Sequence, residues 1–146
     1  MADIQLLHEQ LRREFSGVPL CLMGHSMGSF LARSYLIRYP GTLRAAIIMG
    51  TGWQPQAKLT GGRAVAEVVC AAQGPSAASK LVNDLAFGGY NKAFAPNRTG
   101  YDWLSADSEN VDRYIADPLC GADATVGLFR QMLHGIAFNQ NPKNLA

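Results

Sequence analysis

The sequence predicts an α/β fold: a fragment of parallel sheet in the first third of the chain, then a mostly helical remainder. Three observations carry that expectation. An apolar run, Pro19-Leu20-Cys21-Leu22-Met23, leads through Gly24-His25-Ser26-Met27-Gly28 into a helical pattern over residues 29–39. A second apolar run, Ala45 to Met49, follows that helix. From Gln54 onward no convincing strand pattern remains, and helical stretches alternate with Gly, Pro and Asn turns. The texture divides the chain into residues 1–53 and residues 54–146.

Taken in order, Asp3 is placed to cap a first helix whose apolar face carries Ile4, Leu7, Leu11 and Phe15, with His8 among polar neighbours on a solvated face. Gly17 ends this helix and Pro19 opens the first strand. Residues 20–23 are apolar at every position, the pattern of a parallel strand covered by helices on both faces. The next helix presents Phe30, Leu31, Tyr35 and Leu36 and stops at Pro40. Residues 45–49 form the second strand, reached by a right-handed crossover that lays the helix on the sheet. Gly50-Thr51-Gly52 then emerges at the same carboxyl edge as Ser26, where open α/β sheets place their sites. Beyond it, helices are expected over about 63–73, 76–87, 108–115 and 124–138.

Composition narrows the function classes. The 146 residues are 48% hydrophobic and 16% charged, enough for a domain core. Net charge is +2 with both signs interspersed, so no basic stripe offers a footprint for nucleic acid or an anionic membrane. No apolar run reaches the length of a membrane span, and no signal-peptide core follows Met1, which makes the cytoplasm the default location. Cys21, Cys70 and Cys120 lack any Cys-x-x-Cys spacing and read as reduced, buried thiols. No His-x-x-x-His or similar ligand spacing calls for a metal, and no cofactor is expected.

The chemistry concentrates at Ser26. A serine flanked by Gly24 and Gly28 at a strand-to-helix joint is the layout of a nucleophile elbow. Gly-x-Ser-x-Gly alone arises by chance in glycine-rich chains; the apolar strand before it and the helix after it make it specific. So sharp a turn strains the serine backbone, and side chains at Gly24 or Gly28 are expected to collide with their neighbours. In return Ser26 Oγ stands clear, and the Met27 N–H at the helix start can receive an oxyanion. His25, adjacent in sequence, is expected to point away from the hydroxyl and to pack beneath the elbow.

Residues 19–28 and the helix after them resemble the monoacylglycerol-lipase and lysophospholipase-like (serine aminopeptidase-like) family of α/β-hydrolases, whose elbow usually reads Gly-His-Ser-Met-Gly. The likeness continues through Ala46-Ile47-Ile48-Met49-Gly50-Thr51-Gly52, Phe87-Gly88-Gly89-Tyr90-Asn91-Lys92, Asp102-Trp103-Leu104-Ser105 and Asp117-Pro118-Leu119-Cys120-Gly121. The resemblance implies a partial α/β-hydrolase core over 1–53 (strand, nucleophile elbow, helix, strand) and a helical cap, or lid, over 54–146. In that cap Val65, Val69, Leu81, Leu85, Phe87, Phe94, Phe129, Met132 and Phe138 either line an acyl pocket or pack the helices together. It also implies a small apolar acyl ester as substrate, Ser26 as nucleophile and Met27 as backbone oxyanion donor.

A serine hydroxyl needs a histidine to take its proton and a carboxylate to orient that histidine. By the resemblance both follow the cap, and the loop giving a second oxyanion donor precedes the first helix, so the chain reads as a middle segment of a hydrolase. Within it, only His134 with Asp117 or Asp123 offers the order serine, acid, histidine. A peptide-hydrolase alternative would recruit Glu67, Asp84 or Asp112 to hold a substrate amine. A further alternative is an inactive segment or pseudo-hydrolase that binds an apolar ligand. Two strands alone leave unpaired edges, so self-association or a complementary hydrolase segment is the expected partner.

Overall fold

The computed structural model describes residues 1–145, and within them the fold follows from where apolar side chains can be covered. The elements run α1 (Ala2–Glu14), β1 (Cys21–His25), α2 (Met27–Arg38), β2 (Ala45–Met49), α3 (Gln56–Gln73), α4 (Lys80–Phe87), α5 (Ser108–Ala116) and α6 (Val126–Gln140). Short 3-10 turns lie at Asn91–Phe94, Asp102–Leu104 and Pro142–Asn144. By packing, residues 1–64 with 131–145 form one compact unit and Val65–Arg130 a second. The terminal segment, grouped with the helical half by its sequence texture, thus belongs with the strands.

In the first unit β1 and β2 pair in parallel, Cys21 opposite Ala45 through His25 opposite Met49. Side chains alternate across a strand, so Leu22, Gly24, Ala46 and Ile48 share one face. That face meets α2. Cys21, Met23, His25, Ala45, Ile47 and Met49 share the other face and are exposed, Met23 at 58% and Ile47 at 56%. The expectation of a strand buried on both faces is corrected: one face of this two-stranded sheet lies open.

Helix α1 packs through His8, which is buried at 7% exposure, its Nε2–H donating to the Thr42 carbonyl at 3.1 Å. His8 is therefore an anchor rather than part of a solvated face. Beside it the buried Tyr35 donates its hydroxyl to Gln5 Oε1 at 2.8 Å. Asp3 does not cap the helix; α1 starts two residues earlier, at Ala2 with Met1 as N-cap, leaving the carboxylate in the first turn, where the helix dipole favours it. Segment 131–145 is fixed by the fully buried Asn139. Its Oδ1 accepts from Ser34 Oγ at 2.7 Å and its Nδ2 donates to the Phe30 carbonyl at 2.8 Å. Arg38 lies over the Phe138 ring at 4.6 Å.

In the second unit Phe87 meets both Phe129 (5.6 Å between centroids) and Tyr90 (6.0 Å). A polar loop follows: the Asp102 carboxylate accepts from Thr99 Oγ1, Thr99 N and Arg98 N at 2.5, 3.0 and 2.5 Å. Asp107 caps α5 by accepting the Glu109 N–H. The expected helices are all present; α3 begins at Gln56, well before the expected 63, and the others differ by a few residues at one or both ends. The cysteines are free, but Cys21 lies on the open sheet face and Cys120 in the turn after α5, both exposed; Cys70 is half-buried. Buried thiols are thus not what the fold makes of them. Among the described residues no helix is long and apolar enough to cross a membrane.

Candidate active site

The joint between β1 and α2 is built backbone first. Gly24, the one buried position of β1, has no room for a side chain: a Cβ there would press on the Gly28 carbonyl and come within 2.8 Å of Ala32 Cβ. Only glycine lets the strand approach the helix so closely. One residue past the strand, Ser26 takes φ 52° and ψ −119°, the one positive φ outside glycine among the described residues. A serine held there costs on the order of 1–3 kcal/mol, which the surroundings must over-determine.

They do so with hydrogen bonds on both sides of Ser26. Its N–H donates to the Met49 carbonyl at the end of β2, at 3.0 Å. Its carbonyl accepts the Ser29 N–H at 2.9 Å and the Ser29 hydroxyl at 2.5 Å. Ser26 is the N-cap residue of α2, yet its side chain makes no capping bond, and the residue is exposed. Met27 opens the helix, so its N–H lies among the first-turn donors that have no intrahelical acceptor.

Gly28 is a correction to the sequence reading. A Cβ there would meet nothing within 4 Å, because the close approach runs through its carbonyl to Gly24 and leaves its α-carbon open. His25 does not pack beneath the elbow. It is exposed, and its ring lies 3.4 Å from where a Gly50 side chain would begin. Gly50 itself has φ 61°, and the loop after it is tied to α2 by Arg33, which donates to Thr51 Oγ1 at 3.3 Å and to the Gly52 carbonyl at 3.0 Å. The structure thus gathers Ser26, Met27, His25 and the Gly50-Thr51-Gly52 loop at one carboxyl edge. Ser29, Met49 and Arg33, which position that edge, were not singled out from sequence. The only signal for Ser29 was a hydroxyl three residues past the serine, within reach of its backbone.

Most of the remaining candidates are engaged with other partners. His134 Nδ1 stands 3.3 Å from Arg63 Nη2. A guanidinium only donates, so Nδ1 accepts and a neutral ring carries its proton on Nε2. A triad base needs the reverse, Nδ1–H toward a carboxylate and a bare Nε2 toward the serine. Asp117, in the second unit, is exposed and accepts the Leu119 N–H at 2.8 Å in the turn that ends α5; Asp123 is exposed as well. The carboxylates considered for holding an amine are each in an ion pair: Glu67 with Arg130 at 2.8 Å, Asp84 with Lys80 at 2.6 Å and Asp112 with Arg98 at 2.7 Å. Hydrogen bonding and charge from Glu67 raise the Arg130 pKa, and Asp84 does the same for Lys80.

Of the apolar cap candidates Phe129 is buried, whereas Leu81, Leu85 and Phe94 are more than half exposed. A cavity of about 380 Å³ lined by Arg12, residues 15–20 and residues 41–44 sits at the amino ends of β1 and β2, the opposite edge from Ser26. It is unconnected with the elbow chemistry. Among the described residues no group of three or more His, Cys, Asp or Glu side chains could hold a metal ion.

A parallel strand, a strained serine and a helix packed through a glycine contact define the α/β-hydrolase class. Residues 1–145 match the family model described as serine aminopeptidase, S33, and the chain belongs to that family. Among solved structures the fold is similar to a highly thermostable carboxyl esterase from Bacillus coagulans, determined in complex with glycerol, with a TM-score of 0.80 at 19% identity. The match covers 94% of this chain and 44% of the esterase, so the chain spans less than half the length of that relative. No curated protein matches the sequence.

Proposed function

We propose that the chain carries the nucleophile of a serine hydrolase acting on carboxylic esters with small apolar acyl groups, of the monoacylglycerol or lysophospholipid kind. The observation that carries this reading is Ser26 itself, held at φ 52° at the end of β1 with its hydroxyl uncommitted to the helix cap. Ser26 Oγ attacks the ester carbonyl carbon while its proton passes to a histidine. The carbonyl oxygen becomes an oxyanion facing the Met27 N–H, at the positive end of α2. Collapse expels the alcohol, which takes the proton back, and leaves an acyl-serine. Water, deprotonated by the same histidine, then releases the acid and restores Ser26.

The histidine and its carboxylate come from outside these 146 residues. Two features support that. His134 Nδ1, the nitrogen that a triad carboxylate would hold, stands against Arg63, and the structurally similar esterase is more than twice as long as the segment it shares with this chain. The family's name raises peptide hydrolysis as the second reading. Ester hydrolysis is preferred because Glu67, Asp84 and Asp112, the carboxylates considered for holding a substrate amine, are ion-paired.

The test uses the complete product of the gene, assayed with p-nitrophenyl acyl esters and with aminoacyl p-nitroanilides. Ester turnover that exceeds anilide turnover and falls at least about a thousandfold in Ser26→Ala is the expected result, the usual scale for losing a triad member. A fluorophosphonate should label Ser26 in that protein and leave residues 1–146 alone unlabelled. Undiminished ester turnover in Ser26→Ala would overturn the reading, and rapid labelling of the 146-residue chain would place the base inside it.

A further inference from the structure

Ser29 is 0% exposed, and its hydroxyl is spent on the Ser26 carbonyl. We propose that Ser29 is a positioning residue for the nucleophile: its hydroxyl pins the Ser26 carbonyl and so holds the serine in its positive-φ conformation, with Oγ left free. The catalytic meaning of this pin rests on Ser26 being the nucleophile, as proposed above; the pin itself rests on geometry.

An N-cap serine ordinarily turns its own hydroxyl onto the first-turn N–H groups. Ser26 does not, which a nucleophile requires, because a capping bond would hold Oγ against the helix. The joint must then be fixed some other way. Ser29 does it by bonding to the backbone of Ser26 instead of its side chain, through both N–H and O–H. Relaxing Ser26 to an ordinary negative φ would rotate its peptide units and carry the carbonyl away from both donors. At this third position of α2 alanine would be the better helix former, so helix propensity does not account for a serine there.

Alanine at position 29 keeps the N–H bond and loses only the hydroxyl, threonine keeps both, and cysteine fills the site with a weak donor. The first measurement is the intraresidue amide-to-Hα NOE of Ser26 in this chain, which is strong only for positive φ. It should be strong in the parent and Ser29→Thr, and lost or weakened in Ser29→Ala and Ser29→Cys. The second is steady-state kinetics on the complete gene product. Ser29→Ala should lower kcat on the order of tenfold to a hundredfold with KM unchanged, the scale of a small misplacement of a reacting group, and Ser29→Thr should restore it.

A full-strength NOE in both Ser29→Ala and Ser29→Cys overturns the proposal, as does loss of kcat without rescue by threonine. If Ser29→Ala does not fold, the contrast between cysteine and threonine decides by the same criteria. Should Ser26→Ala prove fully active, the ester-hydrolase reading fails while the NOE still tests the pin.

Discussion

At the scale of single residues, the two glycines of the elbow do different work although the motif treats them alike. A methyl group at Gly24 meets the Gly28 carbonyl carbon at 2.7 Å and Ala32 Cβ at 2.8 Å, contacts that neither β1 nor α2 can relieve without separating. Gly24→Ala should therefore destabilise the chain by about 1–3 kcal/mol or unfold it, as overpacking does. Gly28→Ala finds open space in a helix, where alanine outranks glycine, and should be neutral or stabilising by up to about 1 kcal/mol. Urea denaturation of the two variants checks this, and equal losses would refute it. The sequence showed that Ser26 sits between two small residues but not which of them touches something, since that depends on the angle at which α2 crosses β1. His8 was misread for a related reason: its helical neighbours are polar, and the Thr42 carbonyl that claims it lies 34 residues on.

At the scale of elements, periodicity and punctuation located the strands and helices because each is amphipathic or bounded by Gly, Pro or a capping side chain. Loops were less legible. The segment around Asp102 reads as irregular, yet it is held by side-chain bonds: Asp102 to Thr99 and Arg98, and Asn91 to the Thr99 carbonyl and the Trp103 N–H. The Thr99 hydroxyl, then the Thr99 N–H, with smaller help from Arg98, hold the Asp102 carboxyl below its usual 3.8. A carboxyl depressed in the folded state stabilises above its unfolded pKa, and the contribution disappears as pH falls through the folded value. The loop should accordingly stay ordered above about pH 4 and loosen below it. Trp103, ringed against Tyr90 at 5.0 Å, reports the change by fluorescence in a Trp53→Phe background. In Asp102→Asn the acid-dependent change should vanish, with Trp103 already altered at neutral pH. An acid transition identical to the parent's would sink the idea.

At the scale of the whole molecule, the elbow stands on a sheet that has one exposed face and, among the described residues, no third strand on either edge. Sequence texture could not reveal this, because the apolar runs of β1 and β2 look the same whether helices cover one face or both. The consequence is physical. Unpaired N–H and C=O groups beside exposed Met23 and Ile47 invite another chain, whichever chain that is. The 146 residues alone should then associate increasingly with concentration. Met23→Lys and Ile47→Lys, which put a charge on the open face, should shift sedimentation toward the monomer with the helical circular dichroism unchanged. Ile48→Lys, on the strand face that meets α2, should instead lose the fold, since a lysine there buries a charge without a partner. If the Met23 and Ile47 variants associate as strongly as the parent, contacts other than the sheet drive association. If they become monomeric and keep the Ser26 NOE, the elbow holds its strained conformation with the open face unoccupied, and what the sheet lacks is cover rather than shape.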